Sequence, residues 1–174
     1  MANSCRSQMA EGFVRHLAAE GVEVYSAGLI PTALDSRAVA VMRERGVDIR
    51  GQRAKDLQAV PQEVDVVITL CGEAEEACPS FPGPVIREHW PLPDPARAPG
   101  SSEEVLTIFR QVRDEIEQRV RTLLAAHGKA TPPCRPQGKM PPHRAAKGSR
   151  PTKGNTGGRI KNPGFGVPLA VRER

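Results

Sequence analysis

Apolar residues recur along the chain with two different periods, and the switches between them divide it into helices and strands. Met9, Phe13 and Leu17, flanked by Ala10, Val14 and Ala18, repeat at i, i+4 and predict an amphipathic helix over residues 7–20, closed by Gly21. Val22, Val24 and Tyr25 predict a short strand. Val39 and Met42 point inward from a second helix over residues 36–45, with Gly46 as its left-handed stop. Residues 64–70, Val-Asp-Val-Val-Ile-Thr-Leu, form the nearly continuous apolar run of a buried parallel strand. Val85 and Ile86, among prolines, mark a weaker strand. Ser101 and Glu104 make a capping box. Behind it Val105, Ile108, Phe109, Val112, Ile116, Val120, Leu123 and Leu124 predict a long helix that Gly128 closes.

Strands alternating with helices predict an α/β fold, a three-layer sandwich with a parallel sheet. Its first helix starts almost at Met1, whereas such a domain feeds its first helix from a central strand. That strand is expected to be missing from this chain, leaving the domain poorly folded. The pattern ends at residue 128, which bounds the domain at residues 1–128. Residues 129–174 hold eight of the 17 prolines, and Leu, Ile, Val and Phe supply five of those 46 residues. Such a composition buries too little apolar surface to offset chain entropy, so a disordered tail is expected.

Charge follows the same division. The tail carries a net +10 and residues 1–128 a net −5, so the overall +5 comes from the tail. A basic tail could neutralise nucleic-acid phosphates, but it lacks interleaved aromatics for base stacking, and nucleic acid is not an expected partner. No apolar run approaches the roughly 18–20 residues of a membrane span. No apolar leader precedes the first helix, which places the chain in the cytoplasm with its four cysteines as thiols.

Three groups of residues carry candidate chemistry. Asn3, Ser4, Cys5, Arg6 and Ser7 head the first helix, where backbone N–H groups, the positive dipole end and an Arg suit a tetrahedral oxyanion; a plain helix cap is the simpler reading. Cys71 ends the best strand, at the edge where α/β folds place their sites. Cys78 follows seven residues later, a spacing unlike the C-x2-C of a zinc knuckle, and no metal is expected. The two thiols are either a redox pair exchanging a disulfide or unrelated. Asp94, in His89-Trp90-Pro91-Leu92-Pro93-Asp94-Pro95, is a general acid or a turn residue.

Taken in order, Asn3 to Gly12, Val24 to Gly28, Thr69 to Gly72 with Cys78-Pro79, His89-Trp90 with Asp94-Pro95, and Val112 to Ile116 resemble the thioredoxin-coupled arsenate reductases. That family shares the fold of the low-molecular-weight tyrosine phosphatases. The resemblance implies that Arg6 and the loop amides bind arsenate, Asn3 braces the loop, Ser7 lowers the nucleophile's pKa, and Asp94 protonates the leaving oxygen. It further implies that Cys71 attacks the thiol–arsenate adduct and releases arsenite. Cys78 then attacks Cys71, leaving a Cys71–Cys78 disulfide for thioredoxin, with no bound cofactor and a monomeric enzyme.

The family's loop reads Cys-Thr-Gly-Asn-Ser-Cys-Arg-Ser. Met1 and Ala2 stand where Thr and Gly belong, and the nucleophile falls one residue before Met1, so the chain as written is expected to be inactive. Cys5 matches the loop's second cysteine, expected to be a small buried side chain. Some members hold potassium with Asn, Glu, Ser and Asp. Asn3, Glu11 and Ser26 match three of these positions and Lys55, beside Asp56, the fourth; its ammonium is expected to replace the ion. Two alternatives use fewer of the residues. One is a low-molecular-weight tyrosine phosphatase without the redox pair, the other a non-catalytic oxyanion- or nucleic-acid-binding remnant.

Overall fold

The computed structural model describes residues 3–70, 83–128 and 168–173. One compact unit comprises Met1–Thr131 and Gly164–Arg174. Its elements are α1 (Arg6–Leu17), β1 (Val22–Ser26), α2 (Ser36–Arg43), β2 (Val66–Thr69), β3 (Ile86–His89), α3 (Ser102–Ala126) and β4 (Pro168–Glu173). Short 3-10 turns span Leu57–Ala59 and Pro95–Arg97.

Each helix ends for an identifiable reason. α1 stops at Leu17, earlier than its apolar spacing suggests, because Ala18 turns extended at φ −75° and ψ 149°. Gly21, at φ 89°, lets the chain reverse into β1. α2 is capped by Asp35, whose carboxylate accepts from the Arg37 N–H at 2.8 Å, and Gly46 at φ 75° stops the chain behind it. The capping box of α3 is formed as expected between Ser101 and Glu104. Gly12 marks a close approach, since a Cβ there would lie 2.6 Å from Ile49 Cγ2.

Met9, Phe13 and Val14 of α1, Val41 and Met42 of α2, and Phe109, Ile116 and Val120 of α3 form one core with Val24, Val66, Ile68 and Val171 of the sheet. Truncating a buried ring such as Phe13 or Phe109 in such a core costs about 3–5 kcal/mol. The opposite sheet face packs Val67 and Ala170 against Val60, Val64 and Leu57. Arg113, 5% exposed, donates to Val41 O at 2.9 Å and Glu44 Oε2 at 2.6 Å, a paired cation that ties α3 to α2.

The sheet order is β1-β4-β2-β3. β2 and β3 are parallel, and β4 runs antiparallel to both its neighbours, so β1, β2 and β3 share one direction as expected. The position between β1 and β2 is held by β4, drawn from the end of the segment expected to be a disordered tail. Pro168–Glu173 hydrogen-bonds on both edges, with Ala170 at 0% and Val171 at 8% exposure. The physical reason is local. Phe165, Val167, Leu169 and Val171 place four of the tail's five Leu, Ile, Val and Phe residues at alternate positions, the period of a strand. The rest of the tail, residues 129–167 and residue 174, lies outside the described residues.

Candidate active site

The site forms where α1 begins and β1 and β2 end. Asn3 is its hub, fully buried. Its Nδ2 donates to Ser7 Oγ at 2.9 Å and to Ser26 Oγ at 3.0 Å. Its Oδ1 accepts from the Lys55 N–H at 2.9 Å and from Gln8 Nε2 at 2.7 Å. Gln8, also buried, reaches on to Arg53 O at 2.9 Å. The loop ahead of α1 is thus bonded to β1 and to residues 53–55, and an unmade bond at any of these buried groups costs about 1–3 kcal/mol. Ser4 O accepts from the Asp35 N–H at 2.9 Å, which fixes the loop against the cap of α2.

Arg6 opens α1 and reaches across to the ends of two other segments. Its Nη1 donates to Leu92 O at 2.7 Å and Leu70 O at 3.2 Å, and its Nη2 lies 3.4 Å from Asp94 Oδ2. Trp90 and Leu92 are buried at 4% and 6% exposure, whereas the Asp94 side chain stays accessible at 34%. Asp94 Oδ1 also accepts from the Ala96 N–H at 3.2 Å, so the carboxylate heads the 3-10 turn that follows. A guanidinium and a carboxylate therefore meet just past Thr69 and Leu70, where the sequence continues into Cys71. Cys71 and Cys78 themselves lie outside the described residues.

Cys5 is the N-cap of α1 and is 4% exposed. Burial, with the Asp35 carboxylate adding to it, pushes its thiol far above the ordinary range despite Arg6 nearby. It remains a neutral thiol, unsuited to nucleophilic attack.

The four cation-site positions converge. Glu11, 1% exposed, receives Ser26 Oγ on Oε2, Lys55 Nζ on Oε2 at 3.1 Å, and Arg15 Nη2 on Oε1 at 2.8 Å. Asp56 turns away and caps the Leu57–Ala59 turn, accepting from the Gln58 N–H at 3.0 Å. The Lys55 ammonium thus stands against the Glu11 carboxylate. Lys55→Ala should lower stability by about 1–3 kcal/mol, between the figures for exposed and buried pairs. It should also make the melting temperature rise with added potassium. A variant that melts like the parent chain, with no response to potassium, would show that Lys55 does not fill this role.

Sequence reasoning gave Gln8 no role, although it carries the loop to Arg53, and it missed the carbonyls of Leu70 and Leu92 that position Arg6. A polar side chain on the buried face of α1 was the available signal for Gln8. Backbone carbonyls leave no trace in residue identity.

A braced loop at a helix N-terminus, with an Arg and a Pro-framed Asp converging on it, defines a protein suited to tetrahedral oxyanions. The description low molecular weight phosphotyrosine protein phosphatase matches residues 1–132, and the chain belongs to that family. Within it, an arsenate reductase of Shouchella clausii is 48% identical over 121 residues, covering 68% of this chain and 86% of that protein. An arsenate reductase of Bacillus subtilis is 45% identical over 120 residues, with the same coverages of 68% and 86%. Among solved structures, an arsenate reductase in oxidized state superposes with a TM-score of 0.62 at 38% identity, covering 71% of this chain and 91% of that one. An arsenate reductase in the phosphate binding state gives a TM-score of 0.59 at 38% identity, with 72% and 92% covered.

Proposed function

We propose that this protein is an arsenate reductase of the thioredoxin-coupled kind, acting as a monomer in the cytoplasm. The observation that carries the reading is the approach of Arg6 to Asp94 at 3.4 Å, directly beyond the end of β2. It brings an anion-binding fork and a proton donor to the edge from which Cys71 follows. Arsenate gives the site a dianion with oxygens spaced for the Arg6 fork and the loop amides. Once the oxyanion takes the guanidinium, Asp94 is placed to deliver a proton to a leaving oxygen.

Electron balance sets the number of thiols. Reduction of arsenate to arsenite takes two electrons, supplied when two thiols become one disulfide. A first thiolate displaces one arsenate oxygen, which leaves as water after protonation. Cys71 then attacks that first sulfur and arsenite departs with the electron pair of the broken sulfur–arsenic bond. Attack by Cys78 on Cys71 frees the first thiol and leaves the Cys71–Cys78 disulfide, which a reduced thioredoxin resolves by exchange.

By the resemblance of the loop, the first thiolate stands at the position before Met1, while Cys5 is buried, with its thiol pushed far above the ordinary range by that burial. The test is arsenate-dependent oxidation of reduced thioredoxin by two proteins. One is the 174-residue chain; the other carries an apolar strand and Cys-Thr-Gly immediately before Asn3. The first should bind phosphate without turnover and the second should turn over arsenate. Turnover by the first, or none by a second whose added strand pairs with β1 and β2 in place of β4, would contradict the proposal.

A further inference from the structure

We infer that Pro168–Glu173 is a donor strand: a segment from the far end of the chain that occupies an acceptor groove between β1 and β2 and holds the two halves of the site together. In the described sheet β1 pairs only with β4, since the order is β1-β4-β2-β3. β1 carries Ser26, which bonds Asn3 and Glu11, while β2 leads through Thr69 to the Leu70 carbonyl that receives Arg6. The two ends are bridged by β4, where Ser26 pairs with Leu169 and Thr69 with Pro168.

The groove is built for an extended, small-then-branched apolar segment. Ala170 faces Tyr25 and Val67 across the two ladders and joins the core on one side of the sheet. Val171 pairs with Val24 and Val66 and joins the core beneath α1 and α3 on the other. Burial on both faces explains why the strand is apolar at consecutive positions here, as a central strand must be. Arg172 leaves the core and lies 3.5 Å from Glu63, closing the outer end of the groove with an ion pair. Proline at the first position of β4 removes one donor at the strand's end, where a ladder tolerates it.

The orientation is the distinguishing feature. A strand leading directly into α1 would have to run parallel to β1 and β2, whereas β4 enters from the opposite end and runs antiparallel. One groove cannot hold both. The occupant inferred here is the chain's own segment, supplied in cis.

The register supplies a direct test, because Glu23 and Arg172 are Cα partners near the rim of the sheet. Glu23→Cys/Arg172→Cys in the full chain should form a disulfide on mild oxidation, located by peptide mapping and confined to single chains. A disulfide linking two chains would show that a second copy donates the strand, and failure to form one would overturn the inference. Hydrogen exchange on the unaltered chain gives an independent reading. The Ala170 and Val171 amides should be protected to about the same degree as Val67 and Ile68, within roughly tenfold. Exchange at unfolded-chain rates would overturn the inference as well.

Discussion

Replacing Cys71 with serine in the N-terminally extended chain should stop arsenite release completely, while Cys78→Ser should allow one arsenite per chain and then stop. Steady-state turnover falls by roughly 10³-fold or more in both, as expected when one member of a covalent relay is removed. The difference lies in the first turnover. Without Cys71 the thiol–arsenate adduct meets no second sulfur, and no electrons reach arsenic. Without Cys78 the adduct is still cleaved, but the first cysteine remains bonded to Cys71 and cannot attack again. Rapid-quench measurement of arsenite over the first turnover separates the two. Equal bursts from both variants would remove Cys71 from the position the mechanism gives it.

Arg6→Ala should weaken phosphate and arsenate binding by roughly 10²-fold or more, the equivalent of two charge-assisted hydrogen bonds at about 1.5–3 kcal/mol each. The same side chain ties Leu70 O and Leu92 O together, so some loss of stability is expected alongside. Arg6→Lys separates the two effects. It keeps the positive charge but loses the planar fork, and should recover part of the affinity while leaving the Asp94 segment less firmly held. Calorimetric titration with phosphate beside a melting curve reads both quantities. Unchanged affinity in Arg6→Ala would place the anion elsewhere.

The helical half of the fold was legible because its signals are local. The i, i+4 spacing of Met9, Phe13 and Leu17, the Ser101–Glu104 box and Gly46 each act within a few residues of the element they define. β2 was legible for a related reason, since Val66, Val67 and Ile68 are buried on both faces and read as a continuous apolar run. β4 was not, because composition averaged over 46 residues hid the alternation of Phe165, Val167, Leu169 and Val171. Its place in the sheet depends on partners about 100 to 150 residues away, which no periodicity within the segment encodes.

At the site, motif residues announced Asn3, Arg6, Ser7 and Asp94, and their convergence follows from the α/β rule that loops at the carboxyl edge of the strands gather there. What the sequence left open was which of Lys55 and Asp56 faces Glu11. The structure resolves it, because Asp56 is consumed in capping a turn while Lys55 reaches the buried carboxylate. A one-residue ambiguity along the chain becomes an opposite charge at the site.

The central claim is a relay that ends on Cys71 and Cys78, and disulfide mapping tests it most directly. The extended chain would be reduced, freed of reductant, given arsenate for one turnover, acid-quenched, alkylated and mapped by mass spectrometry. A Cys71–Cys78 disulfide formed in proportion to arsenite is the predicted result. Arsenite produced while Cys71 and Cys78 are both recovered as alkylated thiols would contradict the account.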